Sequence, residues 1–320
     1  MNPILEQISN IGLVPVIKID DPKKAVPLVS ALKKGGIPVA EVTFRTACAA
    51  EAIKTIADAM PDVLVGAGTV ITVDQVKAAV AAGAKYIISP GFDAEVVAYC
   101  IENDIPVTPG CSDASDVSVA AKMGLEVVKF FPAEAAGGLK VLKALSGPFP
   151  NMKFIPTGGI GSGNLGDYLA FKKVIACGGS WMVPNDMLDN EDWDGITALA
   201  REAVLKMLDI KFRHIGINSD SEDEAVCTTE RFASLTGGAI KDGSKSLFSG
   251  EAFEIMKYQG MGKHGHIALS VTDVDRAVTF FTSQGFEFDE ASATYTDDGK
   301  KKFIYFKDEI GGFAVHLVKA

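Results

Sequence analysis

Short apolar runs alternate with amphipathic helical runs through about the first 208 residues of the chain. The apolar runs lie at residues 13–19, 39–45, 63–70, 86–91, 106–110, 126–133, 153–159 and 174–180. Helical spacing fills the intervals. At 49–60, for instance, Ala49, Ile53, Ile56, Ala57 and Met60 recur at three and four residues. Asp20-Asp21-Pro22 reads as the start of the first interval helix and Gly35-Gly36 as its end. Apolar strands alternating with helices predict a parallel sheet buried on both faces. Eight such units in about 200 residues predict an α/β fold of the closed (β/α)8, TIM-barrel kind. A doubly wound open sheet is the alternative, but no G-x-G-x-x-G follows the first strand.

The pattern changes after Ile210, where the segment repeats itself. His214-Ile215-Gly216-Ile217-Asn218 is echoed by His266-Ile267-Ala268-Leu269-Ser270. Each is followed by a helical run (222–235, then 274–284), a glycine and short alternating strands. Phe253-Glu254-Ile255-Met256-Lys257 is echoed by Val315-His316-Leu317-Val318-Lys319. An α+β domain of two βαβββ modules of about 50 residues each is expected. The expected domains are 1–210 for the barrel and 211–320 for the modules.

Barrel sites form at the C-terminal ends of the strands, and polar and glycine residues gather there. They include Glu41, Thr43 and Arg45 on one face of the second strand, Gly66-Ala67-Gly68-Thr69 on the third and Ser89-Pro90-Gly91 on the fourth. Gly158-Gly159 and Gly179-Ser180 follow the seventh and eighth strands. The sixth strand carries a lone lysine, Lys129, flanked on its own face by Val127 and Phe131. A cation there either snorkels to water past an edge strand or is enclosed because it acts as a neutral nucleophile.

The 320 residues are 48% hydrophobic and 22% charged, enough for two cores. A net charge of −10 argues against nucleic acid or an anionic membrane as partner, so an anionic substrate would need local cations and backbone N–H groups. The N-terminus lacks a basic n-region and no apolar run reaches membrane length, which predicts a soluble, non-exported, cytoplasmic protein. Five scattered cysteines without a C-x-x-C pair fit reduced thiols. All four histidines (His214, His264, His266, His316) lie in the last third. The barrel must therefore work without imidazole.

Six motifs in register resemble one family. Glu-Val-Thr-Phe-Arg-Thr from Glu41, Gly-Ala-Gly-Thr-Val from Gly66, Ile-Ser-Pro-Gly from Ile88 and Lys-Phe-Phe-Pro-Ala-Glu from Lys129 are followed by Pro-Thr-Gly-Gly-Ile from Pro156 and Gly-Gly-Ser-Trp from Gly178. Together, over residues 1–208, they resemble the 2-keto-3-deoxy-6-phosphogluconate (KDPG) and 4-hydroxy-2-oxoglutarate (KHG) aldolases. The resemblance implies a Schiff-base lyase without a cofactor, acting on a keto-acid sugar phosphate and assembled as a homo-oligomer, usually a trimer. It implies Lys129 as the Schiff-base lysine, Glu41 as the proton-transfer residue, and Arg45 and Thr69 as holders of the pyruvyl end, with Pro90 and Phe131 also at the substrate.

The residues support this chemistry with alternatives still open. Carbon–carbon cleavage beside a hydroxyl needs an electron sink, and without histidine to hold a metal in the barrel the lysine remains. Glu41 is the inward carboxylate that can move protons, or it simply pairs with Arg45. Arg45 can fork onto a carboxylate, while Thr69 either donates to the same group or caps its strand. Gly158, Gly159, Gly179 and Ser180 occupy the usual barrel phosphate position, although Gly-Gly pairs are often only turns. The substrate choice stays open between the gluconate form, its galactonate epimer and KHG, and a phosphate-binding isomerase is the non-aldolase alternative.

Residues 212–320 resemble the glyoxalase/bleomycin-resistance, or vicinal-oxygen-chelate, superfamily, in which the first and last strands of each module ligate a divalent metal. Carried across, the positions are His214, Glu254, His266 and His316, a set that suits zinc, nickel, iron or manganese. His316 departs from the commoner glutamate, and many members of the superfamily bind ligands without metal. His264 matches no ligand position and reads as surface. An isomerase or lyase, a metabolite sensor and an assembly surface are the roles open to this domain.

Overall fold

The computed structural model describes residues 1–320, which divide into two compact units, Met1–Met207 and Leu208–Ala320. The parallel strands of the first unit are β1 (Leu13–Ile17), β2 (Val39–Thr43), β3 (Leu64–Gly68), β4 (Ile87–Ile88), β5 (Val107–Thr108), β6 (Gly110–Cys111), β7 (Val127–Phe130), β8 (Lys153–Pro156) and β9 (Cys177–Gly179). β5 and β6 are one run interrupted at Pro109, which has no N–H to donate to a ladder. The hydrogen-bonded order is β5-β4-β3-β2-β1-β9 and β6-β7-β8. Bridges Phe154↔Val174 and Thr157↔Gly178 join β8 to β9, so the sheet curls round into a ring. The alternation of the sequence is thus realised as a (β/α)8 barrel.

Helices α1 (Pro3–Ile11), α2 (Ala25–Lys34), α3 (Ala49–Ala59), α4 (Val73–Ala81), α5 (Ala94–Glu102), α6 (Ala114–Lys122), α7 (Gly138–Ser146), α8 (Leu165–Leu169), α9 (Asn185–Asp189) and α10 (Trp193–Leu208) accompany the strands. α1 precedes the first strand and is absent from the strand–helix alternation read above. Its signals are local: the Asn2 side chain accepts from Ile4 N–H at 2.9 Å, Pro3 opens the helix and Gly12 ends it. Asp21 caps a 3-10 turn, Pro22–Lys24, that leads into α2, so the first interval helix starts later than Asp20-Asp21-Pro22 implies.

The barrel interior owes its shape to β3. Gly66 pairs with Glu41 and Gly68 with Thr43. A Cβ on Gly66 would lie 2.3 Å from the Tyr86 ring, and one on Gly68 would lie 1.9 Å from Glu41 Oε1. Missing side chains on one strand therefore make the volume for a tyrosine and a carboxylate on its neighbours. Tyr86 is fully buried and donates its hydroxyl to Ala40 O at 3.0 Å. Burial, and secondarily the charge of Glu41, raises the phenol well above its ordinary pKa.

The second unit is one eight-stranded mixed sheet with two helices. Its first module is β10 (Lys211–Ile217), α11 (Glu222–Thr236), β11 (Ile240–Asp242), β12 (Ser246–Ser249) and β13 (Phe253–Met256). The second is β14 (Gly265–Val271), α12 (Val274–Ser283), β15 (Phe288–Tyr295), β16 (Lys301–Phe306) and β17 (Phe313–Lys319). The sheet order is β11-β12-β13-β10-β14-β17-β16-β15. Within each module the first and last strands pair in parallel, and β10 and β14 pair antiparallel between modules. Ala225, Leu247 and Ile255 form a core in the first module, with Phe232 stacked on Phe253 at 4.3 Å.

Gly66→Ala should lower the stability of the barrel by about 1–3 kcal/mol through overpacking against Tyr86. Trp181 and Trp193 both lie in the first unit, so tryptophan fluorescence during urea unfolding reads that unit. An unchanged urea midpoint would refute the claim that this glycine makes room for the ring.

Candidate functional site

Lys129 sits in the centre of β7, whose four residues are all buried. Its backbone N–H donates to Pro109 O at 2.9 Å, and the residue registers between Gly110 on β6 and Ile155 on β8. A barrel strand flanked on both sides gives its side chain no edge to escape past, which removes the snorkelling alternative. Lys129 is only 5% exposed and Glu41 1%. Lys129 Nζ donates to Glu41 Oε1 at 3.3 Å and stands 5.2 Å from the centroid of the Phe131 ring.

The carboxylate of Glu41 therefore pairs with the lysine, and not with Arg45 as one reading of the sequence had it. β2 ends at Thr43, and Arg45 lies in the following turn, exposed, with Nε donating to Thr69 Oγ1 at 3.3 Å. Arg45 and Thr69 are thus brought together at the ends of β2 and β3. Thr69 holds a left-handed backbone, φ 55°, directly after Gly68, a conformation uncommon for a β-branched residue.

At the C-terminal ends of the strands a cavity of about 450 Å³ opens. Six of the expected substrate residues line it: Arg45, Phe131, Gly158, Gly159, Gly179 and Ser180. Thr69 and Pro90 are not among its lining residues. Pro90 follows β4, and its carbonyl packs so close to β6 that a Cβ on Gly110 would come within 2.2 Å of it. Gly158 (φ 99°) and Gly159 (φ 77°) both adopt the left-handed region, where side chains are strained. Their loop is held from behind. Glu134 N–H donates to Gly158 O at 3.0 Å, Asn164 Nδ2 donates to Gly159 O at 3.1 Å, and the Tyr168 hydroxyl donates to the Glu134 carboxylate. Lys18, Thr43, Thr157 and Asn185 also line the cavity and were not among the expected binding residues. Lys18 and Asn185 carry no periodicity signal, because each lies just past a strand or at a helix start.

A second constellation lies in the eight-stranded sheet. One ring nitrogen from each of His214, His266 and His316 lies within 4.8 Å of the others. His214 Nε2 and His266 Nε2 are 3.1 Å apart, and Glu254 Oε2 is 3.0 Å from the first and 3.2 Å from the second. Ser246 donates to the other carboxylate oxygen at 2.6 Å. His316 Nδ1 is buried without a hydrogen-bond partner. Burial raises the Glu254 carboxyl, but hydrogen bonds from His214, His266 and Ser246 outweigh it and hold the group well below the carboxylate range. Burial first, then the neighbouring His266 and His214, pushes the His316 imidazole down to about 3, so it stays neutral at neutral pH. His264 is exposed and apart from this group.

Comparison with known proteins bears on the barrel. The sequence model of the KDPG and KHG aldolases matches residues 4–199. The 2-dehydro-3-deoxy-phosphogluconate aldolase of Haemophilus influenzae is 43% identical over 201 residues, covering 63% of this chain and 95% of the relative. The enzyme of the same name from Dickeya dadantii is 50% identical over 200 residues, covering 62% and 94%. Among solved structures, the KDPG aldolase of Legionella pneumophila, with pyruvate captured as a covalent carbinolamine, superposes with a TM-score of 0.62 at 43% identity, covering 63% of this chain and 98% of that one. Relatives matched over nearly their whole length and a model spanning most of the first unit agree: this chain belongs to the KDPG and KHG aldolase family.

Proposed function

We propose that the barrel cleaves 2-dehydro-3-deoxy-6-phosphogluconate to pyruvate and glyceraldehyde 3-phosphate, with Lys129 as nucleophile and Glu41 as proton carrier. The buried Lys129–Glu41 contact at 3.3 Å carries this reading. An amine in such a site can give its proton to the adjacent carboxylate and present a lone pair to a ketone. In the forward reaction Lys129 Nζ adds to the C2 carbonyl, and Glu41 returns protons so that the carbinolamine loses water to the iminium. Glu41, directly or through a water, then takes the C4 hydroxyl proton as the C3–C4 bond breaks. The bonding pair passes into the enamine and the aldehyde leaves. Reprotonation at C3 and hydrolysis of the iminium release pyruvate and the free lysine.

Arg45, with Thr69 fixing its Nε, is placed to hold the pyruvyl carboxylate, and Phe131 walls the cavity over the lysine. Pro90 belongs to the same end of the barrel. Gly158, Gly159, Gly179 and Ser180 are the proposed phosphate cradle. KHG, cleaved to pyruvate and glyoxylate, shares the pyruvyl half and is the second substrate. A trimer in the cytoplasm is the assembly and setting we infer: the resemblance carries the trimer, and five free cysteines fit a reducing compartment. No helix is long and apolar enough to cross a membrane.

For the second unit, a vicinal-oxygen-chelate-like module, we propose a divalent-metal centre on His214, Glu254, His266 and His316. Three imidazoles and one carboxylate converge, and the orphaned Nδ1 of His316 marks polar capacity that the protein itself leaves unused. The donor set suits zinc, nickel, iron or manganese. Such a metal would supply Lewis-acid polarisation of a bound oxygen, while Ser246 orients the Glu254 carboxylate.

Borohydride with pyruvate should fix a covalent adduct on Lys129 in the wild type and none in Lys129→Ala. Adduct persisting in that variant by intact-mass measurement would disprove the assignment. Glu41→Gln should lower kcat by about 10²–10⁴-fold, the usual worth of a positioned proton carrier, while pyruvate trapping still occurs at a slower rate. A kcat within twofold of wild type would remove Glu41 from the mechanism. Elemental analysis should find about one divalent ion per chain, bound by the four-residue centre proposed here. That ion should be lost in His214→Ala/His266→Ala with aldolase activity kept, and a metal-free native protein that takes up none on dialysis would end this reading.

A further inference from the structure

The cavity at the strand ends contains two charged lining residues, and both are cations: Arg45 and Lys18. Their places in the ring differ. β1 lies between β9 and β2, with Pro15 paired to Gly179 and Val16 to Glu41. Lys18, just past β1, therefore stands beside the Gly179-Ser180 end of β9. Arg45 is tied to Thr69, towards β3. Going around the rim, the glycine loops after β8 and β9 meet Lys18 before they meet Arg45.

The backbone on either side of Lys18 is anchored. Thr43 Oγ1 donates to Ile17 O at 3.0 Å, while Thr46 Oγ1 donates at 2.7 Å and Cys48 Sγ at 3.1 Å to Ile19 O. The side chain itself is half exposed, and its one charged partner is Asp20, with Nζ 2.8 Å from Oδ2. Asp20 is 70% exposed, so solvent screens the pair and a stronger anion can displace it. The neighbouring Asp21 is already engaged in accepting the Lys23 N–H. On a chain of net charge −10, an acidic residue at the mouth would repel an incoming phosphate unless a cation covered it.

We infer that Lys18 is a specificity residue for the phosphorylated end of the substrate. Asp20 holds its ammonium at the rim until the phosphate dianion takes it over. The inference rests on the aldolase reading above and adds to it a preference for phosphorylated over unphosphorylated keto acids.

Steady-state cleavage of 2-dehydro-3-deoxy-6-phosphogluconate and of KHG by the full-length protein tests it. Lys18→Met should raise KM for the phosphorylated substrate about two- to fivefold, the worth of one partly exposed charge contact, and leave KM for KHG and both kcat values unchanged. Lys18→Arg should restore most of the lost affinity. Asp20→Asn should lower KM for the phosphorylated substrate about two- to threefold, with no effect in the Lys18→Met background. Equal shifts for both substrates, or no shift for either, would overturn the role of Lys18 while leaving the aldolase reading intact. A wild type that cleaves neither substrate would overturn the aldolase reading and this inference with it.

Discussion

The first unit depends on keeping one ammonium and one carboxylate together in a nearly dry barrel. Burying either charge alone would cost several kcal/mol, and a pair recovers that cost only with good geometry. Lys129 and Glu41 lie on strands that are not neighbours, so their contact requires a closed ring in which both side chains point to the axis. It also requires space. The inner positions of β3 opposite them are Gly66 and Gly68, one making way for Tyr86 and the other for Glu41. Tyr86, itself fully buried, ties its hydroxyl to β2. Closure, glycine placement and the buried tyrosine all follow from one electrostatic demand.

Much of this was legible in the chain because strand alternation is a strict rule. Lys129, Val127 and Phe131 on one face, and Glu41 with Thr43 on another, follow from period two alone. The rule ends where the strand ends, which explains why Arg45 differs from the simple extrapolation. The chain turns after Thr43, and Arg45 donates to Thr69 at the cavity wall, while Glu41 pairs with Lys129. Lys18 was illegible for a related reason. Its importance comes from β1 lying beside β9, a pairing between the two ends of the barrel sequence that only closure creates. Helix α1 was missed although Asn2, Pro3 and Gly12 carry its start and stop signals, because a strand–helix alternation has no place for a helix before the first strand.

In the second unit the four converging side chains are explained by the order of the sheet. β13, β10, β14 and β17 are consecutive, and each carries one of them. Glu254 pairs with Gly216, which pairs with His266, which pairs with Ala314. In the next row His214 and His316 flank Ala268. Large ligand-type side chains thus alternate with glycine or alanine along each row. A Cβ on Gly216 would lie 2.0 Å from the His266 ring, so the small residue is a steric requirement. A register shift between Phe212 and His214 brings His214 opposite Ala268, the kind of re-aiming for which an extra residue in a strand is suited. The repeated His-Ile-Gly and His-Ile-Ala in the sequence already contained both the imidazole and the small residue that makes space for it. The bulge was not visible there.

The two units answer the same problem with opposite charge logic. In the barrel, where no histidine occurs, a buried carboxylate faces a lysine, and the proposed mechanism moves a proton between them. In the sheet, a partly buried carboxylate faces imidazoles of which one, His316, is held neutral and keeps a ring nitrogen without a partner. A lysine pair of the first kind has a proton to give and no lone pair to spare until it gives it. The imidazole cluster of the second kind keeps one buried ring nitrogen without a hydrogen-bond partner, and the proposed complement of that nitrogen is a cation. The segregation of histidine to the last third of the chain therefore separates the two proposed chemistries: covalent catalysis by a lysine nitrogen in one unit and metal coordination by imidazole nitrogens in the other.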